Sequence, residues 1–257
     1  MAEALRIEVV GETNVGMKRN HNEDNFAILD EEGLYIVADG MGGHASGEVA
    51  SKLAVDTIRE FFKTTGQDPD KTWPYKMERG KGYEENRLIT AIKLANLRIY
   101  EEAQGNISKR GMGTTVVATF AVEGGVYLSH VGDSRIYRIR DGKIEQLTED
   151  HSLLNDYIKM KRLSAEEIAN FPHKNVIVRA LGMKENVKVD TRFETPKAGD
   201  ILLMCSDGLS GPVDDADMLA IVRSSSDLKG AVRRLIARAN ENGGPDNITC
   251  VLIRWVA

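Results

Sequence analysis

TTVVATFAVEGGVYLSHVGDSRIYRIRDGK, residues 114–143, is the stretch that decides the fold. It holds strand-like runs at 114–122, 125–131 and 135–139, rich in β-branched and aromatic residues. Such residues suit a pleated, half-buried surface. EGG (123–125) and DGK (141–143) read as hairpin loops. Loops this short join antiparallel neighbours, because a parallel pair needs a crossover of about a dozen residues or more.

The same signal recurs outward in both directions. LRIEVV (5–10), FAIL (26–29), LYIVA (34–38), DILLMC (200–205) and NITCVLIRW (247–255) read as strands, with DEEG (30–33) as a further hairpin loop. Between them lie helical patterns. GEVASKLAVDTIREFF (47–62) places Val49, Leu53, Val55, Ile58, Phe61 and Phe62 near one stripe, with Ser46 as a candidate N-cap. Residues 84–104 repeat the pattern through Leu88, Ile92, Ala95 and Ile99, and 215–224 and 228–244 form a second helical pair that stops at Asn-Gly-Gly. Strict β-α-β alternation is absent, which excludes a doubly wound parallel sheet. The expected class is α+β: two antiparallel sheets packed together, with helix pairs on their outer faces.

Two segments stand outside this pattern. Residues 66–83, GQDPDKTWPYKMERGKGY, are polar and turn-rich and read as a surface loop, in which Trp73 and Tyr75 serve either local packing or docking. Residues 151–182 carry short helical pieces, with a capping box at Ser164.

Composition narrows the class further. At 257 residues the chain can bury one large core. Hydrophobic residues at 42% and charged residues at 28% are those of a globular protein, and a net charge of −5 gives no electrostatic footprint for nucleic acid or an anionic membrane. Two cysteines, neither in a CxxC pair, form no disulfide framework, so a reducing cytoplasm is the expected setting. MAEALRIEVVGE lacks the features of a signal peptide, and no apolar run reaches the roughly 18 residues of a membrane span.

Function is carried by where the aspartates fall. LYIVA runs into Asp39-Gly40, ILLMCS into Asp207-Gly208, VYLSHVG into Asp133-Ser134, and Asp246 immediately precedes NITCVLI. Arg19-Asn20-His21-Asn22-Glu23-Asp24 stands just ahead of another strand. If these strand ends meet at one edge, several negative charges converge, which is unfavourable unless cations neutralise them. Oxygen-only donors favour hard ions such as Mg²⁺ or Mn²⁺. Two such ions can activate a water for in-line attack on phosphorus. One Asp-Gly after a strand is usually only a hairpin turn; the combination in this order is the specific signal.

With RNHNEDN (19–25), VADGMGGHASGEVAS (37–51), GMGTTVVA (111–118), HVGDSRIYRIRDG (130–142), LTEDHS (147–152), CSDGLSGPV (205–213) and GGPDNITCVLI (243–253), the chain resembles the metal-dependent protein phosphatases, the type 2C or PPM serine/threonine phosphatases, and its bacterial branch most closely. The resemblance covers almost the whole chain. It implies a four-layer α-β-β-α sandwich over 1–257, with 151–182 as the family's flap subdomain and 66–83 as a surface loop. It also implies roles. Asp39 bridges two Mn²⁺ or Mg²⁺ ions, Gly40 offers its carbonyl, Asp207 and Asp246 hold the second ion, and Glu23 holds metal-bound water with Asp24 beside it. Asn247 orients Asp246, and the planar fork of Arg19 takes the substrate phosphate. The bridging water attacks phosphorus directly, with no phosphoenzyme.

Two positions depart from the family pattern. Asp133 matches a third-metal ligand, but the usual partner Asp is replaced by Gly211, so weaker binding of a third ion is expected. Met41 stands where many eukaryotic relatives carry a histidine that is a candidate general acid. His44 then has two roles open to it, an acid or a cap for the helix beginning near Ser46, with a metal-bound water as the competing proton donor. His21 is either near the site or in a turn. His130 reads as a core histidine, His151 and His173 border the flap, and Cys205 and Cys250 read as buried strand thiols. The implied partners are phosphorylated proteins and an opposing bacterial Ser/Thr kinase, with the chain itself a monomer. Two rivals remain: a binding module that has lost catalysis, and a hydrolase of small phosphoesters.

Overall fold

A computed structural model describes residues 5–42, 46–68, 72–161, 167–168, 171 and 176–257. His44, His173 and the capping box at Ser164 lie outside the described residues.

Among the described residues, eleven strands form two antiparallel sheets. The first runs in the order β1 (Arg6–Asn14), β11 (Ile248–Val256), β10 (Ile201–Cys205), β7 (Arg135–Arg140), β8 (Lys143–Gln146). The second runs β2 (Asp24–Leu29), β3 (Leu34–Met41), β5 (Val116–Val122), β6 (Gly125–Val131), β9 (Asp190–Glu194), with the short β4 (Gly113–Thr114) pairing the end of β3. The three hairpin loops expected from DEEG, EGG and DGK all connect antiparallel neighbours. At the last, Asp141 and Gly142 both have positive φ, 51° and 74°, the twist that matches a two-residue hairpin turn.

Helices α1 (Ser46–Gln67) and α2 (Tyr83–Gly105) cover one outer face; α3 (Leu153–Lys161) follows β8; a single turn, α4 (Asp207–Ser210), leads into α5 (Asp215–Ser224) and α6 (Leu228–Glu241) on the other face. Helix α1 begins at Ser46 itself, one residue earlier than expected, and α6 ends at Glu241, three short of the Gly-Gly stop.

Period-2 alternation sorts the strand residues into layers. In β3, Leu34, Ile36 and Ala38 pack against Ile58, Phe62, Leu88 and Ile92 of the helices. The alternate residues Tyr35 and Val37 face the other sheet, where they meet Leu202, Met204, Val251 and Ile253. On the far side, Leu203, Cys205, Cys250 and Leu252 pack under Val232, Leu235 and Ile236 of α6. The result is the α-β-β-α layering, with one apolar layer between the sheets and one under each helix pair.

Within 66–83, Trp73 sits edge-on to Phe61 at 5.9 Å and tilted on Tyr83 at 4.9 Å. The Tyr75 hydroxyl donates to Lys93 O at 3.4 Å, and the buried Asn86 amide ties down the backbone of Glu78, Lys81 and Gly82. Both aromatic residues therefore serve local packing. Strands β8 and β9 were not among the expected strands. They are sheet-edge strands with polar alternate residues, so their apolar signal is thin.

Candidate metal centre

The layer parity that buries Tyr35 and Val37 between the sheets carries Asp39 to the same side at the end of β3. Its antiparallel partner in β2 is Asp24, aligned Cα to Cα. Asp24 shares the inter-sheet parity of Phe26 and Ile28, and it is buried. From the other sheet, Ser206 Oγ and Thr249 Oγ1 donate to Asp24 Oδ2 at 2.8 and 2.6 Å. The second oxygen, Asp24 Oδ1, is buried without a hydrogen-bond partner, and so is Asp133 Oδ1.

These carboxyls perturb one another. Burial is the largest cause at Asp24, and Asp207 and Asp246 add to it; together they outweigh the two hydroxyl donors and push its pKa up to about 7. Asp39 is raised well above the carboxylate range by burial and then by Asp24, Asp207, Asp133 and Asp246. Asp133 goes up to about 7 through burial and the charges of Asp207 and Asp150. Asp207 is raised as well, by burial and Asp246, although it hydrogen-bonds Asp39. So Asp24, Asp39, Asp133, Asp207 and Asp246, from five separate places in the chain, share one electrostatic neighbourhood.

The surrounding backbone is fixed by close approaches. Gly40 N donates to Glu23 O at 3.1 Å, Thr115 N and Thr114 Oγ1 donate to Asp39 O at 2.8 Å each, and Asp39 N donates to Thr115 Oγ1 at 3.1 Å. A Cβ on Gly40 would stand 2.1 Å from Gly47 O and 2.5 Å from Glu23 O, so no other residue fits there. Gly208 is equally confined, with Asn247 O 1.8 Å from where its Cβ would be. Glu23 Oε1 accepts from Gly47 N at 3.2 Å, at the start of α1.

Asn247 organises the remaining loop. Its Oδ1 accepts from Glu23 N at 2.8 Å, and its Nδ2 donates to Val15 O and His21 O at 2.9 Å each. Its own N–H donates to Asp246 Oδ1 at 2.8 Å. His21 is exposed and serves through its backbone carbonyl. Arg19 Nη2 donates to Asp246 Oδ2 at 2.6 Å, with its side chain 49% exposed.

Every donor in this cluster is oxygen, two of the oxygens are buried and unpartnered, and Asp24, Asp39, Asp133 and Asp207 are all raised by burial and by neighbouring negative charge. Such a set fits hard divalent cations. The ligand types, the orphaned oxygens and the Gly40 close approach all agree with that group.

The comparisons with known proteins follow the same line. The sequence profile described as "Protein phosphatase 2C" matches residues 17–253. The chain belongs to the protein phosphatase 2C family. It is 38% identical over 248 residues to the serine/threonine phosphatase stp of Listeria innocua, covering 94% of this chain and 93% of that one. It is 34% identical to the protein phosphatase PhpP of Streptococcus pneumoniae, with 94% of each covered. Among solved structures, the Mycobacterium tuberculosis serine/threonine phosphatase PstP/Ppp matches with TM-score 0.84 and 32% identity over 99% of this chain and all of that one. A catalytic domain of PstP in complex with two manganese ions matches with TM-score 0.81 and 32% identity, over 99% of this chain and 100% of that one. The protein is thus a phosphatase of the metal-dependent 2C type, with divalent metals as its cofactor class. Among the described residues, no helix is long and apolar enough to cross a membrane.

Sequence reasoning missed the hydroxyls around the cluster, two of which bond Asp24 and two of which fix the backbone beside Asp39 and Asp133. Ser206, Thr249, Thr115 and Ser134 look like ordinary strand-end hydroxyls; what marks them is their parity with the inter-sheet residues. The two cysteines are core thiols: burial pushes Cys205 up to about 12 and Cys250 well above its ordinary value, so neither offers a thiolate.

Proposed function

We propose that this chain hydrolyses phosphoserine and phosphothreonine in proteins and opposes a Ser/Thr protein kinase, acting as a monomer in the cytoplasm. The observation that carries the reading is the convergence of five aspartates around unpartnered buried oxygens, with the exposed guanidinium of Arg19 at the rim. Asp39, the Gly40 carbonyl, Asp207 and Asp246 would hold two Mn²⁺ or Mg²⁺ ions, with Glu23 and Asp24 supporting them and Asp133 available to a third. When bound, those ions supply an activated water and neutralise charge developing on the phosphoryl group.

The chain's own residues do the rest. Arg19 exchanges Asp246 Oδ2 for a phosphate oxygen when substrate arrives, and its planar fork fixes the phosphate's orientation. Asn247 keeps Glu23 and Asp246 in register, the first through its side-chain oxygen and the second through its backbone N–H. Ser206 and Thr249 hold one oxygen of Asp24, leaving the other aimed at the centre. Thr115 and Thr114 fix the Asp39 backbone, so its carboxylate does not need to reorganise during turnover. We read 151–182 as the flap and 66–83 as a surface loop of one domain.

The decisive experiment measures hydrolysis of a phosphothreonine peptide by metal-stripped protein, with Mn²⁺ or Mg²⁺ added back, beside Asp39→Asn. Turnover that requires the ion and is lost in Asp39→Asn is expected. A folded protein inactive with both ions would overturn the reading and favour a binding module. Faster turnover of nucleotides than of phosphopeptides would favour the small-phosphoester rival.

A further inference from the structure

The LTEDHS stretch acts on the carboxylate cluster through the charge of Asp150 on Asp133, and it grips the GDSR loop by hydrogen bonds. Thr148 Oγ1 accepts from Ile136 N at 3.1 Å. Asp150 takes a forked ion pair from Arg135, with Nε and Nη2 at 3.0 and 2.7 Å. His151 holds Gly132 from both sides: its N–H donates to Gly132 O at 2.9 Å, and its ring Nδ1 accepts from Gly132 N at 3.0 Å.

Gly132 has no room to drift. Its φ is +111°, and a Cβ there would lie 2.6 Å from Thr115. Thr115 in turn hydrogen-bonds Ser134 Oγ at 2.7 Å. The residues on both sides of Asp133 are therefore pinned, while Asp133 Oδ1 itself stays buried and unpartnered.

The other end of the His151 ring reaches the flap. Nε2 lies 2.8 Å from Asp190 Oδ2; Arg179 Nη1 lies 2.8 Å from that same oxygen and 2.9 Å from Nε2, so the three groups form a triangle in which both N–H groups can point only at the carboxylate. Lys188 Nζ stands 3.2 Å from Asp190 Oδ1, and His151 O accepts from Val178 N at 2.9 Å. His130, Nε2 donating to Glu149 O at 2.8 Å, stacks on the His151 ring at 4.7 Å.

His130, His151 and Asp190 together have the composition of a metal site, with ligand atoms within 4.8 Å of one another. The hydrogen bonds argue against that role. A backbone N–H can only donate, so Nδ1 of His151 carries no proton and Nε2 carries it, aimed at Asp190. A metal on Nε2 would need that proton removed as well. Arg179 and Lys188 already supply the positive charge on Asp190. Burial holds His151 neutral, with its pKa down to about 4.

We propose that His151 is a positioning residue for Asp133, and that the Arg179–Asp190 pair sets the ring tautomer that lets it act. The flap base is thereby joined to the carboxylate assigned to a third ion; the inference rests on that assignment of Asp133. The partners that orient a metal site from outside are worth about 10–100-fold in metal affinity.

Two substitutions separate the two ends of the ring. His151→Asn retains an acceptor near the Nδ1 position, for Gly132 N, and loses Asp190. His151→Gln reaches towards Asp190 and loses the Gly132 acceptor. The experiment is calorimetric titration of the metal-stripped full chain with Mn²⁺, with melting temperatures in parallel and Asp133→Asn as reference. The binding step that Asp133→Asn removes should weaken about 10-fold or more in His151→Gln, and markedly less in His151→Asn, while the other steps stay as in the wild type. Equal shifts in both variants, or none, overturn the inference. No step lost in Asp133→Asn overturns the Asp133 assignment itself, and the inference with it. Should neither His151 variant fold, Asp190→Asn carries the test: the same step must weaken, and an unchanged step refutes the coupling.

Discussion

Removing the metals should reverse the usual dependence of stability on pH. Asp133 is raised from 3.8 to about 7 in the folded chain, first by burial and then by Asp207 and Asp150. The folded state therefore keeps a proton that the unfolded state has released. That contribution is fully present below pH 3.8 and is lost as pH rises through about 7. At pH 5 the difference is worth about two pH units, or about 3 kcal/mol at ~1.4 kcal/mol per unit; by pH 8 almost nothing remains. For a chain of this size, ~1 kcal/mol moves the melting temperature by roughly 2–4 °C, so a fall of about 6–12 °C is expected from Asp133 alone. Asp24, also raised to about 7, acts in the same direction. Asp190 and Asp200 are lowered by their ion pairs, so their contributions persist throughout this window; His151, lowered to about 4 by burial, and His130, also lowered, favour folding as pH rises towards 6.5 and offset part of the slope, an offset common to wild type and Asp133→Asn. The assay is thermal unfolding of chelator-treated protein between pH 5 and 8, beside Asp133→Asn, which lacks the titrating group. Saturating Mn²⁺ should invert the trend, because bound ions require ionised carboxylates. Parallel slopes for wild type and Asp133→Asn without metal, or a wild-type melting temperature that rises with pH, would refute the electrostatic account.

Three further outcomes follow from the contacts. Gly40→Ala places a methyl against Gly47 O and Glu23 O, so it should lose metal-dependent turnover and cost about 1–3 kcal/mol, read by kinetics and denaturant unfolding. Arg19→Ala removes an exposed group with one ion pair; stability should change by under about 1 kcal/mol while kcat/KM on a phosphopeptide falls at least tenfold. Trp73→Ala removes contacts with Phe61 and Tyr83 and should cost about 3 kcal/mol with kcat unchanged.

The layers were legible because LYIVA is apolar throughout, as a strand covered on both faces must be. Leu34, Ile36 and Ala38 meet helices; Tyr35, Val37 and Asp39 meet the opposite sheet. What no local pattern conveys is which strand lies beside which. Asp24 and Thr249 are separated by 225 positions, and Ser206 stands between them in sequence. Each has inter-sheet parity in its own strand, counted from Phe26, Met204 and Val251, so each is individually predictable as facing the sandwich interior. Their meeting depends on β10 pairing β11 in the register that sets Cys205 opposite Cys250. The same holds for LTEDHS, whose grip on Gly132 follows from the turn after β8 folding back across the end of β6. A family motif names such residues without saying what they do. Asp150 and His151 touch none of the five clustered aspartates by hydrogen bond, and both hold backbone or side chains that flank Asp133. Their place in the motif has a physical reason in the desolvation of that aspartate. An oxygen that awaits a cation carries no hydrogen bond of its own, so Asp133, with Oδ1 unpartnered, is positioned through its neighbours.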